Sequence, residues 1–338
     1  MSAPKNRAEK FARISALEEL LTDLNANLTG ANENYLKDSV ERFPKIFLMG
    51  PHRSGSTLFM QWLADTGLIA YPSNLLSRFF GAPLVGAKIQ QLLTDSRYNF
   101  RNEILDFTTG INFSSDNGKT KGALAPNEFW YFWRRFLPFE ELDYMSPAEL
   151  RKKANLSGLR DELNALANIF EKPFAMKAMI MNQNIPELAE QFDKALFIWI
   201  RRDPIFNIQS ALEARKRQYG DISAWYSFKI KEYPKLKDLD PLKSVAGQIT
   251  AINRSINTGL SCLPEKNKLT IQYEDFCRRP NHYYEEISNR LLEQASSRDI
   301  KIPEYRGKAH FTNTNIWRLE EYSQADAESA YQSYIHRF

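Results

Sequence analysis

Cysteine is nearly absent from this sequence: Cys262 and Cys277 are the only two in 338 residues, and histidine occurs four times. Two isolated thiols give neither a disulfide framework nor a metal-ligand spacing, and they suit a reducing compartment. Long apolar runs are also missing. No stretch approaches the ~18 uninterrupted apolar residues of a membrane span. The opening segment, MSAPKNRAEKFARISALEELLTDL, is polar and then amphipathic, without the apolar core of a signal peptide. The expectation is a cytoplasmic chain with no membrane span. Charge is not concentrated either: 45 Lys and Arg against 41 Asp and Glu give +4. Without a basic stripe, nucleic acid is not an expected partner. Internal repeats and low-complexity segments are lacking.

What is present is a set of short apolar runs, at 45–49 (KIFLM), 174–178 (FAMKA), 195–200 (ALFIWI) and 269–273 (LTIQY). Helical patterns at 56–66, 184–192, 205–217, 243–260 and 281–293 alternate with them. That alternation predicts an α/β fold, a parallel β-sheet flanked by helices. Ligands of such sheets sit at the carboxyl ends of the strands. Residues 8–28 place Phe11, Ile14, Leu17, Leu20, Leu21, Leu24 and Leu28 at helical spacing. This amphipathic helix packs either on its own domain, the favoured reading, or on a partner chain, which leaves a homodimer open. The expected organisation is an N-terminal helical segment over 1–40 and one α/β domain over 41–338. Within the domain, 70–170 forms a helical, aromatic-rich insertion over the rim.

The first run ends in Gly50-Pro51-His52-Arg53-Ser54-Gly55-Ser56-Thr57. Aligned with the phosphate-loop pattern G-x-x-x-x-G-K-[ST], the glycines and Thr57 are in place, but Ser56 replaces the lysine and Arg53 sits inside the loop. Small residues let backbone N–H groups converge on an anion, and a helix N-terminus adds its dipole. The bland alternative is a glycine turn before a capped helix. The third run ends in Arg201-Arg202-Asp203-Pro204, with Ser210 about two helical turns beyond. Asp203 suits an N-cap and Pro204 a first helical turn. Alone, this element reads equally as a cap with Arg202 in a surface ion pair. Both arginine loops follow strands and so lie on one rim.

Together, the two elements resemble the P-loop sulfotransferases that use 3′-phosphoadenosine 5′-phosphosulfate (PAPS), over residues 45 to 295. The RSGST form is similar to bacterial and tyrosylprotein-type members. YEDF at 273–276 and the strand with Lys177 also resemble family elements. The resemblance implies sulfuryl transfer from PAPS, as co-substrate, to a hydroxyl acceptor by in-line displacement, with no metal. It implies that Arg53, Ser54, Gly55, Ser56 and Thr57 hold the 5′-phosphosulfate and that Arg202 and Ser210 hold the 3′-phosphate. Arg53 would also be catalytic, stabilising the leaving phosphate.

In the tyrosylprotein and trehalose branches a glutamate base follows the loop helix, but YPSNLL at 71–76 holds no carboxylate or histidine. The catalytic-base candidate is Glu128, beside Phe129, Trp130 and Trp133, where burial would raise its pKa toward a working value. The competing reading pairs Glu128 with Arg134 or Arg135. His52 is the second candidate, as base or as loop lining; His282, His310 and His336 read as surface positions. Asn315, Trp317 and Arg318 either close the cofactor site or dock the tail. The aromatics at 129–133, with Phe79 and Phe80, suit a sugar, phenol, lipid or peptide acceptor, or the core. Two rivals remain. One is a P-loop kinase or NTPase, disfavoured by Ser56 and by the lack of an acid ending an apolar strand. The other is a non-catalytic nucleotide- or glycan-binding module.

Overall fold

The computed structural model describes residues 14–98, 119–138, 143–295 and 300–335, together with 103, 111, 113, 115 and 116. Four strands, β1 (Lys45–Met49), β4 (Phe174–Lys177), β5 (Ala195–Arg201) and β6 (Lys268–Gln272), form one sheet in the order β4-β1-β5-β6. All three pairings are parallel, with Lys45 opposite both Phe174 and Ala195, and Phe197 opposite Lys268. Beyond β4, Ala70 continues the sheet for a single residue through a parallel bridge to Phe174. A small separate hairpin pairs β2 (Ser115–Asp116) with β3 (Lys119–Thr120).

The expected α/β class is the one observed, and the physical reason is visible in the strands. Successive side chains point to opposite faces, and in β1 every position is buried. Phe47 and Met49 join Phe197 and Trp199 in one core; Ile46 and Leu48 join Leu196, Ile198 and Ile200 in the other. Strands buried on both faces read as continuous apolar runs, without alternation. The edge strand β6 alternates in burial.

Helices cover both faces. They are α1 (Ser15–Glu33), α2 (Ser56–Asp65), α3 (Pro83–Thr94), α4 (Trp130–Phe136), α5 (Pro147–Lys153), α6 (Leu156–Phe170), α7 (Ile185–Ala189), α8 (Pro204–Tyr219), α9 (Tyr233–Leu236), α10 (Pro241–Ser261), α11 (Tyr273–Arg278), α12 (Pro280–Gln294) and α13 (Gln324–Ile335). Helices α2, α11 and α12 pack one face through Phe59, Phe276 and Ile287. Helices α6, α8 and α10 pack the other through Leu163, Ile208 and Ile249.

α1 is tied to the body mainly by asparagines: Asn25 accepts from Gly81 N at 2.7 Å, and Asn32 accepts from Leu84 N at 2.8 Å. Of its apolar residues Leu21 is buried, whereas Leu20 is 63% exposed. Residues 1–13, which include Phe11, lie outside the described residues. The described residues of 70–170 hold helices α3 to α6, and these differ in role. α6 is a flanking core helix, and the stretch around α4 reaches the strand ends, where the Trp133 indole donates to the Lys177 carbonyl at 3.2 Å.

Candidate active site

The 50–57 loop leaves the carboxyl end of β1 and is held from three sides. Asn182 exchanges two hydrogen bonds with Gly50, accepting from its N–H at 3.2 Å and donating to its carbonyl at 2.8 Å. Asn207 on α8 donates to the His52 carbonyl at 2.7 Å. Arg202 donates to the Arg53 carbonyl at 3.2 Å. Arg53 itself has φ +65°, a left-handed conformation uncommon outside glycine, and its guanidinium donates to Ser210 Oγ at 3.2 Å. Backbone strain of this kind clusters at functional sites. Gly55 has φ +93°, and a Cβ there would stand 2.2 Å from the Tyr273 ring. As N-cap of α2 it offers no side chain to the first N–H groups of the helix. Those donors and the α2 dipole are open to an anion. Ser54 Oγ is buried and has no hydrogen-bond partner.

The second loop meets the first directly. Asp203 caps α8 by accepting from Ile205 N at 2.9 Å, with Pro204 in the first turn. Arg202 lies over the Tyr273 ring, 5.1 Å from its centroid, and donates to Asn315 Oδ1 at 3.0 and 2.6 Å. Asn315 in turn donates to Glu274 at 2.6 Å. Among the described residues, Arg202 forms no surface ion pair; Asn315 stands between it and Glu274. The tail is docked, on the arginine cluster and on α8. Asn315 enters the arginine cluster, while Gln209 on α8 grips the Ile316 carbonyl and the Arg318 N–H at 2.8 and 2.6 Å. Arg318 points to Glu213, and Trp317 donates to the Tyr322 carbonyl.

The third component comes from β4. Lys177 is 6% exposed and donates to Thr57 Oγ1 at 2.8 Å and to Glu128 Oε1 at 3.1 Å. A lysine thus reaches the loop from the neighbouring strand, although position 56 is serine. The Trp130 indole holds the other Glu128 oxygen at 2.6 Å. The cation that Glu128 meets is Lys177, whereas Arg135 pairs with Glu162. Burial pushes the Glu128 carboxyl up, but Lys177, the Trp130 indole and Arg53 together outweigh it and hold the group below its usual value. This corrects the expected upward shift: the aromatic neighbours were foreseen, the ammonium was not. Glu128 remains 35% exposed, so a ligand can reach it. A cleft lined by Glu128, Trp130, Trp133, Lys177, Met179 and Ile180 opens there.

His52 is buried, and neither ring nitrogen has a hydrogen-bond partner. Its ring meets Tyr226 edge-on at 5.3 Å. Burial, then Arg215 and Arg53, push its pKa down to about 3. His310 is exposed, His282 half-buried against Tyr283, and His336 lies outside the described residues. Of the aromatics considered for acceptor stacking, Phe129, Phe132 and Trp133 are core, and Phe80 stacks on Tyr131. Trp130, less buried than Trp133, lines the cleft with it. Among the described residues, no group of three or more His, Cys, Asp or Glu could hold a metal ion, and no helix is long and apolar enough to cross a membrane.

Parallel strands, a glycine-framed loop opening on a helix N-terminus and two arginines converging from adjacent strand ends define an α/β protein whose rim gathers positive charge and open N–H donors. The profile of the Sulfotransferase family matches residues 44–293, so this chain belongs to that family. No curated protein sequence matches it. Among solved structures, the sulfotransferase STF9 from Mycobacterium avium superposes with a TM-score of 0.53 at 17% identity, covering 96% of this chain and 86% of that one. STF1 from Mycobacterium tuberculosis H37Rv gives a TM-score of 0.50 at 10% identity, covering 92% and 81%. At these identities the likeness is one of fold.

Proposed function

We propose that this sulfotransferase takes its sulfuryl group from PAPS and passes it to a hydroxyl acceptor by in-line displacement. The observation that carries this reading is the direct junction of the two loops: Arg53 bonds to Ser210, and Arg202 bonds to the Arg53 carbonyl. Groups suited to two separate phosphates of one nucleotide thereby meet on one rim. Arg202 and Ser210 would hold the 3′-phosphate. Arg53, Ser54, Gly55, Ser56 and Thr57 would hold the 5′-phosphosulfate through N–H groups, hydroxyls and one guanidinium. The unpartnered Ser54 hydroxyl and the uncapped start of α2 fit an anion there.

In this reading Lys177 joins the set. Its ammonium, already on Thr57, would neutralise charge on the sulfuryl oxygens and on the leaving phosphate. Glu128 would accept the hydroxyl proton as the acceptor oxygen bonds to sulfur and the sulfur–oxygen bond to the nucleotide phosphate breaks. Its reachable carboxylate favours it over His52, whose buried ring is a weak proton acceptor. Positioning and fixed charge would supply most of the rate. The test is transfer of radiolabelled sulfate from PAPS to an added alcohol, alongside calorimetric binding of 3′-phosphoadenosine 5′-phosphate and ATP. Tighter binding of ATP, with phosphate rather than sulfate transferred, would overturn the proposal in favour of a kinase.

A further inference from the structure

Helix α8 carries a buried arginine that none of the proposed nucleotide contacts uses. Arg215 is wholly buried and lies two turns past Asn207, the residue that donates to the His52 carbonyl. Helical side chains lean toward the N-terminus of their helix, and α8 starts at the rim. The guanidinium of Arg215 is loosely held. It donates to the Ile222 carbonyl at 3.5 Å and to Ser244 Oγ and Gln248 Oε1 at 3.3 Å each. Its Nε has no hydrogen-bond partner, and the group lies 5.5 Å from the centre of the Trp225 ring. All of these neighbours are neutral. Among the described residues no carboxylate pairs with Arg215, and the acid that acts on it most, Asp221, is exposed. Gln248 donates in turn to the Tyr226 carbonyl at 2.9 Å, and the Tyr226 ring meets His52 at 5.3 Å. The charge therefore sits one layer behind the 50–57 loop. Burial lowers its pKa to about 10, so it is present at neutral pH, and it already disfavours a proton on His52.

We infer that Arg215 is a fixed cation behind the 50–57 loop, a specificity-determining residue whose field favours the more highly charged of two nucleotides. The inference rests on the reading of that loop as the anion site. An ionised group buried without a counter-ion is costly, and an apolar side chain of similar size would fill the same space without that cost. Packing between α8 and α10 alone therefore does not account for a guanidinium here. An anion on the loop supplies the missing negative charge. The attraction grows with the charge of the ligand, and a buried charge is screened by salt much less than an exposed one. Arg53 and Arg202 differ in kind, because they stand at the rim, where a ligand can take hydrogen bonds from them.

The test compares two nucleotides of different charge in three proteins. Calorimetry measures 3′-phosphoadenosine 5′-phosphate and AMP binding to the unaltered protein, to Arg215→Met and to Arg215→Lys, and melting temperatures are taken without ligand. Arg215→Met should weaken the bisphosphate about tenfold and AMP about threefold, since the effect scales with ligand charge. Its melting temperature should not fall, because a costly buried charge has gone. Arg215→Lys, which keeps the charge and loses the guanidinium geometry, should recover most of the affinity for both. A merely structural arginine would give the opposite pattern: a lower melting temperature, equal losses for the two nucleotides and no recovery in Arg215→Lys. That pattern, or unchanged affinity in Arg215→Met, would overturn the inference and leave the anion-loop reading standing. Should Arg215→Met not fold, Arg215→Gln is judged by the same two affinities. Failure of the unaltered protein to bind either nucleotide would overturn the anion-loop reading and the inference with it.

Discussion

Lys177 and Glu128 stand 3.1 Å apart at the end of β4, and the same ammonium reaches Thr57 Oγ1 at 2.8 Å. One buried cation therefore joins the start of α2 to the carboxylate of the cover segment. The charge beside the loop thereby lowers the proton affinity of Glu128, with the Trp130 indole and Arg53 adding to it.

Glu128→Gln keeps size and one hydrogen-bond acceptor but cannot take up a proton. If Glu128 is the base, kcat should fall by roughly 10²–10⁴ with little change in nucleotide affinity. The carboxyl is held below its usual value, so it is ionised at neutral pH and kcat should decline only as pH falls through that low value. Lys177→Met removes the main lowering influence and leaves burial, which raises the pKa. The acid limb of the kcat profile should then move to higher pH. Unchanged kcat in Glu128→Gln would remove it from the reaction.

Arg202→Ala and Ser210→Ala should discriminate between nucleotides. Loss of a charge-assisted hydrogen bond costs about 1.5–3 kcal/mol. Calorimetry should show that loss for 3′-phosphoadenosine 5′-phosphate and not for AMP. Equal losses for the two would reject the assignment of the 3′-phosphate to this loop.

The buried His52 predicts a pH-dependent stability. Its folded pKa, about 3, lies below the ordinary value of 6.5, so between these pH values the unfolded chain binds the extra proton. Stability is thus intact above about pH 6.5 and lost as pH falls, by about 1.4 kcal/mol per unit in the limit. Denaturant midpoints measured from pH 7 to 4.5 should show this slope flattened in His52→Asn. The same variant should keep near-normal kcat. A collapse of kcat would give the base role to His52.

Gly55→Ala meets two obstacles: the backbone has φ +93°, and the added Cβ would press into the Tyr273 ring. Gly67 has φ +71° with nothing within 4 Å, so Gly67→Ala meets the backbone term alone. Each left-handed residue costs of order 1–3 kcal/mol. Melting temperature should drop in both variants, whereas only Gly55→Ala should weaken nucleotide binding. Equal nucleotide affinity in the two would mean that the 50–57 loop is not the anion site.

The strands of the sheet were legible because they are buried on both faces and so read as unbroken apolar runs. The run at 195–200 extends in the structure by one residue, to Arg201. The start of α8 was legible because Asp203 and Pro204 act locally, through bonds two residues long. Ala70 escaped notice because a single bridging residue has no periodicity. Asn182 and Asn207 escaped as site residues, and the partners of Lys177 and Asn315 escaped with them, for a different reason. Each acts through a side-chain bond to a segment more than a hundred residues away in sequence. No local pattern encodes such a pairing. The direction of the Glu128 shift was missed because its aromatic neighbours are adjacent in sequence while its ammonium partner is not.

The partners in the arginine cluster lie far apart along the chain: 157 residues separate Arg53 from Ser210, and 113 separate Arg202 from Asn315. A growing polypeptide therefore has no complete arginine cluster, the proposed nucleotide site, until Asn315 has left the ribosome and docked. Non-local closure of this kind is slow relative to helix formation, so competence to bind nucleotide should be among the last properties that the newly made molecule acquires. Retention on immobilised 3′-phosphoadenosine 5′-phosphate would then sort finished molecules from partly folded ones, and the nucleotide itself would favour the finished state by mass action.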